Sequence, residues 1–232
     1  MIIYTPNHIF VPAAYLGIVG GGRAFSAANP IYTVTEVTHQ LQNTGAKCML
    51  VHPSLVKTAV AAAKAAGLQK EMIFQFDDQF CAAQDGIKDW TEMMPSESEA
   101  RTYQWKKLQG ADSVNTVATI NYSSGTTGLP KGVCVSHHNL IANVEQTMAV
   151  RWPKINFKAG ERPNERWVGF LPLYHAYGQL YANLMATKTN TPIYIMKQFV
   201  YADFLRCIQD YKISHLQVGQ YEHQKIMVEL QQ

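Results

Sequence analysis

Residues 122–133 read Tyr-Ser-Ser-Gly-Thr-Thr-Gly-Leu-Pro-Lys-Gly-Val. Hydroxyls, glycines and one lysine are packed into a single turn-rich segment. An apolar run, Val117 to Ile120, leads in, and a β-branched run, Val133 to Val135, leads out. The pattern predicts a loop between two strands, with backbone N–H groups and Ser/Thr hydroxyls facing an anion. Glycine lets the backbone approach a ligand closely and adopt positive φ. Successive N–H groups in such a turn form an anion-binding concavity. Lys131 adds a point charge suited to phosphate.

The Walker phosphate loop requires Gly, four residues, then Gly-Lys-Ser/Thr. Counting from Gly125, the lysine falls at the right distance. Pro130 occupies the place of the second glycine, and Gly132 replaces the Ser/Thr that would hold magnesium. Two of the four fixed positions fail, which excludes a Walker nucleotide hydrolase. An ordinary Gly/Ser/Thr hairpin loop is the bland alternative. A lone Gly-rich tripeptide would be read that way; the longer pattern with its lysine is not.

Alternating helical and strand-like segments must carry this loop. Thr33-x-x-Glu36 is a capping-box pattern opening a helix that ends near Gly45. Cys48 to Val51 is a short buried strand, and Ser54 is placed to cap an Ala-rich helix stopping at Gly67. Met72 to Phe76 is a further strand. Ser136 caps a helix running from the loop to about Val150. Arg166 to Leu171, Pro192 to Met196 and Ser214 to Val218 read as strands. Ala176 to Ala186 and Ala202 to Tyr211 read as the helices between them. Residues 83–116 are polar and lack a long period, so they form a surface excursion with short elements. The alternation predicts an α/β fold with a largely parallel sheet flanked by helices.

A second segment with chemistry in it, Gly169 to Gly178, reads Gly-Phe-Leu-Pro-Leu-Tyr-His-Ala-Tyr-Gly. Together with residues 123–132 it resembles the core motifs of the AMP-forming acyl- and aryl-adenylating enzymes. Upstream, Ala28 to Leu41 (Ala-Asn-Pro-Ile-Tyr-Thr-Val-Thr-Glu-Val-Thr-His-Gln-Leu) looks like the 4-coumarate–CoA ligase-like branch. The resemblance runs from about Thr5 to Val218. It implies a part of the large N-terminal domain of an adenylate-forming enzyme, over residues 1–218. The implied activity is ATP-dependent ligation of a carboxylic acid to coenzyme A through an acyl-adenylate, with Mg2+ accompanying the ATP. Ser123, Ser124, Gly125, Thr126, Thr127 and Lys131 would cradle the β- and γ-phosphates. His175 and Tyr177 would border the acid, with Lys131 and His175 as the catalytic pair, and Lys197 matches a position that meets coenzyme A.

The resemblance stops at Val218. Residues 219–232 form an atypical polar tail. The Tyr-Gly-x-Thr-Glu segment that meets adenine and magnesium, the ribose-holding Asp, and the small C-terminal domain with its lysine are all expected to be missing. The implied form is therefore a truncated ligase, inactive alone. The alternatives are a non-catalytic truncated paralogue that binds a nucleotide or a partner, and the product of an interrupted gene.

Composition bounds the rest. The chain has 232 residues, 47% of them apolar, enough to bury a sizeable core. A formal charge of +3 without a Lys/Arg run does not suggest nucleic acid. Tyr32, Trp90, Tyr103 and Trp105 lack a basic groove and read as packing. The adjacent His137 and His138 cannot share a helix face, so no metal site is expected there. Cys48, Cys81, Cys134 and Cys207 have neither Cys-x-x-Cys nor zinc spacing. Three of them lie in apolar surroundings, where a buried reduced thiol is the usual outcome. An intracellular location follows, cytoplasmic or peroxisomal, with no signal peptide and no membrane span. The particular acid and the oligomeric state are not written in the sequence.

Overall fold

The computed structural model describes residues 1–105, 107–123 and 130–218, and divides them into two units. The first is built from residues 1–6 and 13–141. The second takes residues 7–12 and those from 142 onward.

The first unit contains, in chain order, β1 (Ile2–Tyr4), α1 (Val11–Gly20, its first two residues assigned to the second unit), β2 (Phe25–Ala28), α2 (Val34–Thr44), β3 (Met49–Val51), α3 (Val56–Ala66), β4 (Ile73–Gln75) and β5 (Lys88–Asp89). After α4 (Glu97–Thr102) and α5 (Ala111–Asn115) come β6 (Val117–Ser123), β7 (Lys131–Ser136) and α6 (His137–Arg151), whose last ten residues belong to the second unit. The seven strands form one sheet in the order β5-β4-β3-β1-β2-β6-β7. Every pairing is parallel except β6–β7. Parallel strands covered on both faces read as continuous apolar runs. Here Ile2, Ile3 and Tyr4 are at most 1% exposed, and Met49, Leu50 and Val51 are buried too. α2 and α3 cover this sheet with Val37, Leu41, Val56, Ala59, Ala62 and Ala63.

The ends of α2 follow the sequence. The Thr33 hydroxyl accepts from Glu36 N (3.4 Å), and Glu36 Oε2 accepts from Thr33 N (2.8 Å). That backbone bond holds the Glu36 carboxyl below its ordinary range. Gly45 closes the helix at φ 60°, where a Cβ would be strained. Thr33→Ala should destabilise the first unit by about 1 kcal/mol, seen as a lower urea midpoint at unchanged slope.

Two expectations are corrected. Ser54 does not cap α3; residues Pro53–Leu55 make a 3₁₀ turn in which His52 Nδ1 accepts from Ser54 N (3.2 Å), and α3 starts without a side-chain cap. Pro53 sets φ for this tight turn, and it displaces the helix start by a residue or two. Cys48 and Cys207 are buried, but Cys134 is exposed, because β7 is an edge strand. The largely parallel α/β arrangement read from the sequence is present, with the strands divided between two sheets.

The second sheet has the order β10-β8-β9, all parallel, from β8 (Trp167–Gly169), β9 (Ile193–Ile195) and β10 (His215–Leu216). Between β8 and β9 lie α7 (Ala176–Gly178), a π-helical stretch Gln179–Met185, and α8 (Ala186–Thr189), where the sequence suggests one α-helix. α9 (Tyr201–Tyr211) precedes β10. Two apolar clusters support this sheet, one around Trp152, Trp167 and Met185 and one around Val168, Phe170 and Phe204. Among the described residues no helix is long and apolar enough to cross a membrane.

Candidate functional site

The two strand runs flanking the Gly-rich segment pair as an antiparallel hairpin. The register sets Tyr122 opposite Gly132 and Ser123 opposite Lys131, both of the latter exposed. Ser123 is the last residue of β6 and Lys131 the first of β7, so both stand at the mouth of the loop. Ser124, Gly125, Thr126 and Thr127 lie outside the described residues.

Two side chains on one face of α2 hold the arms of this hairpin. His39 Nε2 lies 3.1 Å from Pro130 O, just before Lys131. Asn43, one turn later, takes the Tyr122 hydroxyl on its Oδ1. Burial, reinforced by Cys134 beside it, pushes the Tyr122 phenol up and keeps it a donor. The rings of His39 and Tyr122 meet edge-on at 6.3 Å. Gly132 packs tightly here: a Cβ would sit 3.0 Å from Ile120 Cγ2 and 3.2 Å from both Asn43 Oδ1 and Tyr122 Cζ, so those side chains would have to shift. Deeper in the sheet, Gln40 Nε2 donates to Ser26 Oγ (2.9 Å), which donates to Ile120 O (2.8 Å). This buried polar relay fixes α2, β2 and β6 together. Sequence reading missed His39, Gln40 and Asn43. Their spacing along α2 is helical, but what they touch is distant in the chain.

In the second unit the turn after β8 is organised by Asn7, only 6% exposed. Its Nδ2 donates to Leu171 O (2.9 Å), with Met196 O at 3.3 Å, and its Oδ1 accepts from Leu173 N (2.9 Å). One amide thus ties the ends of β8 and β9 to the start of the His-bearing turn. No local pattern around Asn7 announces this.

His175 opens α7. Its Nδ1 accepts from Tyr177 N (3.3 Å), so a neutral ring carries its proton on Nε2. The ring is exposed. Tyr177 rests on Tyr181 (4.5 Å between rings), and its hydroxyl reaches Gln217 Oε1 (3.4 Å). Burial, with Tyr181 beside it, raises the Tyr177 phenol. A cavity of about 20 Å3 lies here, walled by Gly169, Leu171, Tyr177, Tyr181, Ile193 and Gln217. That is room for about one water. Gln217, 6% exposed, is a polar wall the sequence did not reveal. Lys197 is exposed in the bend after β9.

The turn tolerates no side chain at Gly178. A Cβ there would lie 2.3 Å from Pro172 O and 2.8 Å from Leu173 Cα, both backbone. Gly178→Ala should destabilise the second unit by about 3 kcal/mol in urea denaturation, at the upper end of overpacking costs because backbone must move.

The described residues thus form two constellations. Ser123 and Lys131 meet across the hairpin in the first unit; His175 and Tyr177 share one turn of the second, which also carries Lys197. Among the described residues no cluster of three or more His, Cys, Asp or Glu is placed to hold a metal ion. His137 and His138 occupy the first turn of α6.

The mostly parallel sheet of the first unit ends in an antiparallel hairpin, and the sheet of the second unit carries a His-bearing turn. Residues 1–219 match the AMP-binding enzyme family, and the chain belongs to it. It is 30% identical over 217 residues to 4-coumarate–CoA ligase 4 of Arabidopsis thaliana, covering 90% of this chain and 34% of that protein. An acyl-CoA synthetase of Alternaria alternata, ACTT5, is 28% identical over 219 residues, covering 91% of this chain and 35% of that protein. The chain therefore spans about a third of the length of these relatives. Among solved structures, a red-emitting luciferase from Phrixothrix hirtus superposes with a TM-score of 0.77 at 22% identity, over 94% of this chain and 40% of that one. A long-chain-fatty-acid–CoA ligase from Archaeoglobus fulgidus gives 0.71 at 25% identity, over 93% and 38%.

Proposed function

We infer that the chain supplies the triphosphate-binding loop and one wall of the acid site of an ATP-dependent, AMP-forming carboxylic acid–CoA ligase. The β6–β7 hairpin carries this reading, because it sets Ser123 against Lys131 at the mouth of the Gly-rich loop. Ser123, Ser124, Gly125, Thr126, Thr127 and Lys131 bind the β- and γ-phosphates. The carboxylate then attacks the α-phosphorus and pyrophosphate leaves. This step depends on positioning and charge neutralisation more than on covalent help from the protein. His39 and Asn43 are positioning residues, since they fix the two arms from which the loop springs. His175 and Tyr177 border the acid, and Lys197 faces coenzyme A in the thiol-transfer half. Bound Mg2+ would neutralise phosphate charge; the described residues offer no carboxylate cluster for it. The acid is of aromatic or medium-chain type, a reading supported by the likeness to 4-coumarate–CoA ligase 4.

The test is thermal denaturation of the purified chain with ATP, AMP or inorganic sulfate. A ligand present at about a hundred times its Kd stabilises by about 2.7 kcal/mol. ATP should raise the midpoint well above sulfate. Equal midpoints with and without millimolar ATP would overturn the phosphate-site reading. Acid-dependent pyrophosphate release, scanned across aromatic and medium-chain acids, then tests the ligase reaction itself.

A further inference from the structure

A sizeable cleft among the described residues lies in the second unit, and the functions assigned above do not use it. It measures about 730 Å3, a volume within the usual range of small-molecule sites. Its floor is apolar and comes from both sides of one turn. Met148 lies in the last turn of α6 and Trp152 directly follows it, with Ile155 and Phe157 after the chain turns. This floor is preformed. Trp152 stacks parallel to Trp167 at 6.2 Å, meets Phe157 edge-on at 6.0 Å, and donates its Nε1 proton to Glu165 (2.8 Å). Asn156 caps the short 3₁₀ turn Phe157–Ala159 through Ala159 N (3.2 Å), which holds the Phe157 ring in place.

The rim is cationic. Lys158, Arg162 and Lys188 line it, against the single carboxylate of Glu145. Glu145 is already paired with Lys188. The nearby Glu161 is turned onto Asn156 N (2.8 Å). Arg162 lies over the Phe157 ring and spends one nitrogen on the Phe157 and Glu161 carbonyls (3.3 and 2.6 Å). Lys158 has no ion-pair partner among the described residues and is exposed. With both acids counted, the mouth keeps one net positive charge above an aromatic floor. A neutral ligand would leave that charge unused, and a bare inorganic anion would leave the floor wet.

We propose that this cleft binds an amphipathic organic monoanion, an apolar body bearing one carboxylate, at a place separate from the turn of His175 and Tyr177. Lys158 and Arg162 take the head, while Trp152 and Phe157 take the body. The proposal does not depend on the phosphate-site reading.

Decanoate is the probe, with acetate and decanol as comparators, and tryptophan fluorescence of the intact chain is the readout because Trp152 forms the floor. Decanoate should saturate a site that acetate does not fill and that decanol fills about tenfold more weakly or worse. Lys158→Glu should weaken decanoate by about tenfold or more, since it reverses the free charge at the mouth. Ala149→Trp places a large ring over the mouth and should abolish the response. Both positions are exposed on the surface of the unit, so both variants keep the wild-type melting temperature. Absence of saturation, or undiminished decanoate binding by both variants, overturns the proposal. A response that survives Ala149→Trp and disappears in Tyr177→Ala would assign the acid to the β8 turn instead, and equally overturns it.

Discussion

Lys131→Ala should cost the protein most of its affinity for ATP while leaving AMP binding nearly unchanged. Lys131 is the first residue of β7, exposed, and register-paired with Ser123 across the hairpin. A charge-assisted bond to phosphate contributes on the order of 1.5–3 kcal/mol, which corresponds to a loss of about ten- to a hundredfold. AMP carries neither a β- nor a γ-phosphate, so an ammonium aimed at those groups cannot distinguish wild type from variant with it. Equilibrium titration with both nucleotides reads the difference directly. In turnover the loss should be larger, since removal of one preorganised donor typically lowers kcat by about a hundredfold or more. Equal losses for ATP and AMP would mean that Lys131 acts on fold stability or on the α-phosphate, and the assignment would fail. Asn43→Ala offers a graded companion. It removes the acceptor for Tyr122, so ATP affinity should fall although no ligand contact is deleted.

Glu165→Gln should destabilise the second unit by about 3 kcal/mol at neutral pH. The carboxylate, 9% exposed, receives Trp152 Nε1 (2.8 Å), Trp167 Nε1 (2.7 Å) and Arg151 Nη2 (2.9 Å), with His215 Nε2 at 3.5 Å. Arg151 also lies over both indoles, at 4.9 and 5.1 Å. The Trp152 and Trp167 indoles and the Arg151 guanidinium can only donate to it. An amide must turn its own N–H bonds toward at least one of them, leaving Arg151 without a counter-charge. Breaking a buried pair by deleting one partner costs about 3–5 kcal/mol, and an isosteric amide sits at the low end. Burial alone would raise the Glu165 carboxyl. The hydrogen bonds from Trp152, Trp167 and Arg151, with the guanidinium charge, outweigh it and hold the group below its ordinary value of 4.5. A depressed native value means that stability is present above the unfolded value and lost as pH falls through the native one. The gap between wild type and Glu165→Gln should therefore persist from pH 7 to about 5 and close as the native carboxylate protonates below 4.5. Urea midpoints across that range decide it; a gap constant to pH 3 would show that packing, and not charge, holds the cluster.

The sequence states local matters well. The Thr33/Glu36 box, the Gly45 and Gly67 stops and the Ser136 cap fix helix ends through bonds three or four residues long, so they are visible in a string of letters. The continuous apolar runs of β1 and β3 announce parallel strands because both faces are covered. Short-range rules failed where two of them competed. At residues 52–56 a proline turn preceded the helix start that Ser54 was expected to cap. Within Ala176 to Ala186 the apolar spacing fits a helix, but nothing local distinguishes α from π hydrogen bonding.

By itself the sequence determined the α/β alternation, the strand pair flanking the Gly-rich loop and the anion-binding character of Lys131. Those features depend on residue type and on spacing within one or two turns of chain. The roles of His175 and Tyr177 are what the family resemblance implies. The tertiary structure alone decided that the strands divide into two sheets, and that β7 is an edge that exposes Cys134. It alone showed that His39 and Asn43 grip the hairpin, that Asn7 holds a turn about 165 residues away, and that four side chains, Arg151, Trp152, Trp167 and His215, converge on Glu165. Each of these is a pairing between distant segments, and a hydrogen bond or packed ring leaves no mark on the residues between its partners. Only closure of the chain, driven by burial of the same apolar runs, brings them within reach.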